Sequence, residues 1–118
     1  MLVKLDAAGK LEHILVVDWE VTKTGITSIE VGQFAAEMHL LRICIPGCAK
    51  TAPTVLQNYL EAYGPLSNEE KERMMRHIGT HMILLADIWE SDTEAIVSEG
   101  LRILLNKDGG VSRGRVLQ

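Results

Sequence analysis

His77 and His81 stand four residues apart, the spacing that brings two imidazoles onto one face of an α-helix, as a zinc-binding helix requires. No third ligand is indicated nearby in the sequence, and Glu37 is a more distant carboxylate candidate. Two features argue against a metal. The residues between the histidines are Ile78-Gly79-Thr80, so the general-base Glu of a zinc-protease helix is missing. Glu37 and His39 are two apart and point to different sides of a helix, whereas diiron bundles use Glu-x-x-His to turn both groups inward. The expectation is therefore no metal and no cofactor, with His77 and His81 as hydrogen-bonding residues at the edge of a helix's buried face. Should a metal bind, His77, His81 and Glu37 are its candidate ligands.

The remaining reactive residues form no recognised constellation. Cys44 and Cys48 are separated by three residues that include Pro46-Gly47, which matches neither a redox nor a zinc Cys-x-x-Cys pair. Cys48, two residues from Lys50, is the better placed to react, because a cation stabilises thiolate. Pro46-Gly47-Cys48-Ala49-Lys50-Thr51 has the outline of a phosphate-binding loop. It lacks the two diagnostic glycines, with Cys at 44 and Ala at 49. Asp87, near Trp89 in an apolar segment, is the one carboxylate whose neighbours suggest desolvation, yet on a helix it projects opposite the core stripe.

Composition sets the frame for these residues. A chain of 118 residues, 47% hydrophobic and 24% charged, is the size and balance of one globular domain. Residues 1–108 are expected to form that domain and 109–118 a flexible tail. Aromatic residues contribute only 4%, so the core falls to Leu, Ile, Val, Met and Ala. A net charge of −4 without long runs of like charge offers nothing to nucleic-acid phosphates. The most apolar stretch, from Met82 to Trp89, is far below the roughly 20 residues that span a bilayer. The first ten residues lack the long apolar core of a secretory signal, and two cysteines are too few for a disulfide framework. A cytoplasmic location is the expectation.

The periodicity predicts an α+β fold, predominantly helical, in which a short antiparallel β-meander of about three strands precedes four helices. Leu2 to Leu5, Leu11 to Val21 and Ile26 to Val31 are the expected strands, with Gly9 in the first turn. An all-α bundle is the alternative, because Leu11, Ile14, Leu15, Asp18 and Val21 also share a helical face and Thr27 to Glu30 could form a capping box. From Gly32 onward the period is helical. Phe34, Met38, Leu41 and Ile45 mark the first core stripe, and Pro46-Gly47 ends that helix. A second helix follows Pro53. The third opens on Ser67 and Glu70, a capping-box pair, and runs to about Glu90 with Met74, Ile78, Met82, Leu85 and Trp89 inward. The fourth begins at Ser91 or Asp92, with Val97, Leu101 and Leu104 inward and Gly100 on the same face, where it suits close approach of another helix.

Leu40, Ile43, Ile83 and Leu84 fall outside these stripes, as do Ile14 and Val16 on the second strand. Surplus apolar residues of this kind usually mark association surfaces. The functional expectation is a small non-enzymatic interaction or regulatory protein that self-associates as a dimer, with another protein as an alternative partner. The competing expectation is a small-ligand-binding or metal-dependent enzyme with a pocket between sheet and helices.

Overall fold

The computed structural model of the chain describes residues 2–17, 24–89 and 92–105. Two strands, β1 (Leu2–Leu5) and β2 (Leu11–Leu15), precede four helices, α1 (Thr27–Cys44), α2 (Thr51–Tyr63), α3 (Asn68–Leu85) and α4 (Thr93–Leu104). The fold class is α+β and predominantly helical, as the periodicity predicts. The sheet is two-stranded, and the segment from 26 to 31 belongs to the start of α1 instead of a third strand. Its β-branched residues are outweighed by tertiary burial: Val31 is fully buried, and Ser28 and Gly32 beside it face α3. β2 ends at Leu15, so Val16 and Val17 of the expected strand are not strand, while its remaining residues 18–21 and the expected tail at 109–118 lie outside the described residues.

The hairpin is a local product. Asp6 Oδ1 accepts hydrogen bonds from the backbone N–H groups of Ala8 (2.9 Å) and Lys10 (2.8 Å), and Gly9 supplies the positive φ of 77° that closes the turn. Leu2 pairs with Leu15 and Val3 with Ile14, so successive pairs put apolar side chains on opposite faces. All four are more than half exposed.

Three helix boundaries have a clear chemical cause. Ser67 and Glu70 complete the capping box at α3: Ser67 N–H donates to Glu70 Oε2 at 2.8 Å, and Glu70 N–H donates to Ser67 Oγ at 3.2 Å. Asp92 accepts from Ala95 N–H at 3.0 Å to start α4. Gly64, with a φ of 101°, ends α2. A short 3-10 turn at Ala86–Trp89 continues α3 up to the end expected from the sequence.

The core forms around α3, which packs on α1 along one side and on α4 along another. Met74, Ile78 and Met82 are its fully buried stripe, met by Val31, Ala35, Ala36 and Leu40 from α1 and by Ile96 and Ile103 from α4. Phe34 and Met38 pack only at the margin of this core, and Ile45 is 41% exposed, so α1 is rotated relative to the stripe expected from spacing. On α4 the inward residues are Ile96, Gly100 and Ile103, while Leu101 is exposed.

Glycine contact accounts for the inward face of α4. A Cβ placed on Gly79 would lie 2.6 Å from the carbonyl oxygen of Gly100, and one on Gly100 would lie 2.9 Å from the carbonyl oxygen of Gly79. The backbones of α3 and α4 touch there with no side chain between them. Substituting Gly79 or Gly100 by Ala should destabilise the fold by about 1–3 kcal/mol, because the overpacking outweighs a helix-propensity gain of about 1 kcal/mol. Gly47, whose added Cβ would meet nothing within 4 Å, is the control. Gly47→Ala should change stability by less than about 0.5 kcal/mol in the same urea titrations.

Candidate functional site

Three polar features interrupt the apolar packing of α1, each created by one of its side chains. The first is His39, 2% exposed, whose Nε2–H donates to Glu99 Oε1 of α4 at 3.1 Å. Glu99 in turn accepts two bonds from the Arg102 guanidinium, at 2.6 and 2.7 Å. The carboxylate is thus held from both sides, and its pKa is lowered, first by the Arg102 hydrogen bonds and then by His39. His39 shifts in the same direction for a different reason. Burial lowers its pKa most, Arg42 adds to the effect, and the attraction of Glu99 does not offset them. The buried Nδ1 has no hydrogen-bond partner among the described residues, so a second ring proton would have no acceptor. His39 is therefore a neutral imidazole joining α1 to α4.

The second feature is Glu37, whose Oε1 accepts from His81 Nε2 of α3 at 2.7 Å. Glu37 and His39 do point to different sides of α1, as their spacing requires, and each meets a different helix. His77 is not drawn into the same group. Its ring centroid lies 5.9 Å from that of His81, and its Cβ packs against Gly32 of α1. Among the described residues no three His, Cys, Asp or Glu side chains converge as metal ligands would. Cys44 and Cys48 are both free thiols and partly buried.

The third feature is a cleft of about 290 Å³ between the first turn of α1 and the middle of α3, lined in part by Ser28, Arg76 and His77. The enzyme alternative places its pocket between sheet and helices; the cleft that holds His77 lies between two helices instead.

The interface candidates separate into two groups. Leu40 is fully buried in the chain's own core, and Ile83 is half-buried where its Cγ1 meets Gly100. Both fell outside the expected stripes because close helix contact buries an arc wider than spacing alone suggests. Leu84 (74% exposed) and Ile43 (42%) do face outward, and Ile88 (70%) joins them. The largest apolar display is elsewhere. Leu2, Val3, Leu5, Leu11, Ile14 and Leu15 on the hairpin are each 53–59% exposed, which the half-buried strand pattern does not anticipate.

The fold and these sites define a mostly helical α+β module with internal His–carboxylate ties and an uncovered apolar hairpin. No helix among the described residues is long and apolar enough to cross a membrane. No protein-family model matches the chain, and no solved structure matches it. Among curated proteins it is similar to 4-hydroxytryptamine kinase of Psilocybe cubensis, at 26% identity over 114 residues. The match covers 92% of this chain, which spans 31% of the kinase's length.

His39 makes stability depend on pH with a definite sign. Its native pKa lies below the ordinary value of about 6.5, so the unfolded chain binds more protons in that range. The contribution is complete above about pH 6.5 and declines as pH falls toward the lowered native value. His77, lowered by burial and by His81, acts in the same sense. Urea titrations at pH 7.5 and 5.5 should show lower stability at the acid pH, with a smaller difference in His39→Gln and a smaller one still in the double variant with His77→Gln.

Proposed function

We propose that this chain serves as the helical module of an enzyme that transfers a phosphoryl group to small hydroxylated amines, and that the β1–β2 hairpin is the seam between this module and the rest of the catalytic machinery. The observation that carries the reading is the hairpin: an isolated two-stranded sheet is marginal in water, and this one displays apolar residues on both faces. Such a surface fits a sheet that continues or is covered by further polypeptide. The similarity to 4-hydroxytryptamine kinase, which extends over nearly all of this chain and less than a third of the kinase, supports the same arrangement.

The chemistry of phosphoryl transfer rests on positioning and on carboxylates near the transferred group. In the described part, Glu37 and Glu99 are committed to His81, His39 and Arg102, so they order helices. The full natural polypeptide, given ATP and 4-hydroxytryptamine, should form ADP and a phosphate ester. Absence of transfer to 4-hydroxytryptamine and to other hydroxylated arylalkylamines overturns the assignment.

A second reading uses the same surface without chemistry: a non-enzymatic interaction protein that self-associates through the hairpin. Its support is the exposure of Leu2, Val3, Ile14 and Leu15, joined by Ile43 and Leu84 on the helices. Sedimentation equilibrium separates the two. A concentration-dependent dimer abolished by Val3→Lys and Ile14→Lys, in a protein inactive toward ATP, favours self-association over phosphoryl transfer.

A further inference from the structure

The cleft between α1 and α3 contains polar groups that the rest of the fold leaves unused. Ser28, with no exposed surface, lines it, and its Oγ has no hydrogen-bond partner among the described residues. His77 Nε2, also buried, is likewise without one. Buried polar atoms are rarely left so, because the desolvation cost is not recovered. The first turn of α1 adds to them: its N-cap is Ile26, which has no side-chain acceptor, so the first N–H groups receive no side-chain cap.

Arg73 and Arg76 stand on the α3 side of the same cleft. Arg73 also pairs with Glu69 one turn earlier. Thr80 contributes wall only, since its hydroxyl proton is already donated to the Arg76 carbonyl at 2.9 Å. Ile26 and Ile29, about half exposed, form the apolar side. Ser28, His77, Arg73, Arg76 and the first turn of α1 thus border one space. A planar carboxylate would satisfy only part of that set, whereas the three terminal oxygens of a phosphate monoester match it.

We propose that this cleft binds a small phosphate monoester, with the phosphoryl group held by Ser28, His77, Arg73 and Arg76 and the organic part resting on Ile26 and Ile29. The site is independent of the phosphoryl-transfer reading and of the hairpin. It uses a cleft of about 290 Å³, at the small end of ligand pockets.

Calorimetric titration of the full chain with phenyl phosphate, inorganic phosphate and benzoate tests it. Phenyl phosphate should bind saturably at one site, inorganic phosphate more weakly for want of the apolar contact, and benzoate at least tenfold more weakly. Arg76→Gln should weaken phenyl phosphate at least tenfold. Ser28→Ala should weaken it about fivefold while leaving the thermal midpoint unchanged or higher, because it removes a hydroxyl that is unsatisfied without ligand. Glu69→Gln, which releases Arg73, should tighten binding severalfold. The proposal fails if phenyl phosphate shows no saturable binding, if benzoate binds equally well, or if Ser28→Ala and Arg76→Gln leave the affinity unchanged.

Discussion

The close approach of α3 to α4 at Gly79 and Gly100 is the constraint on which the rest of the helical layer depends. Two glycines facing each other remove both Cβ atoms from the contact, and the backbones come together until a carbonyl oxygen occupies the space a methyl group would need. That approach sets the rotation of α4 and turns Ile96 and Ile103 inward. On the other side of α3, Gly32 plays the matching part, since a Cβ there would sit 3.1 Å from both His77 Cβ and the Met74 carbonyl. A core built from Ala, Met and Ile with few aromatic residues is the natural filling for helices spaced so closely.

Close helices also explain the polar ties. His39 and Glu99 belong to different helices, yet they meet because α1 and α4 are both held to α3. A neutral imidazole donating to a carboxylate that is already fixed by Arg102 satisfies the group with most to lose from burial. The Glu37–His81 pair repeats the arrangement between α1 and α3 in a wetter setting, with Glu37 about one-third exposed. Neither pair is disposed like a catalytic dyad open to substrate: each carboxylate is occupied by this chain's own side chains. Ser28 and His77, whose Oγ and Nε2 have no partner among the described residues, line the cleft at the start of α1.

The hairpin stands apart from this economy. Its turn is well made, with Asp6 and Gly9 in the roles a tight connection needs, and its register is defined apart from an irregularity between Lys4 and Leu5. Its side chains, however, find no core. The helices bury their apolar faces against one another, and the strands keep theirs on display. A chain so divided has one layer that buries its own apolar faces and one that leaves them exposed.

Legible from the residues alone was whatever depends on neighbours a few residues away: the Ser67–Glu70 box, a helix start at Ser91 or Asp92, the turn at Gly9, the inward stripe from Met74 to Met82, and the opposed directions of Glu37 and His39. Capping and turn geometry are complete within single segments, so residue type and spacing suffice. Tertiary structure decided that the β-branched segment from Ile26 to Val31 starts a helix, that Leu40 is core, and that His39 finds Glu99 60 residues away. It also placed the unsatisfied Ser28 hydroxyl beside His77. Each of these depends on how near two helix backbones come, and glycine reveals its reason for being at such a contact only when the opposing glycine is in place.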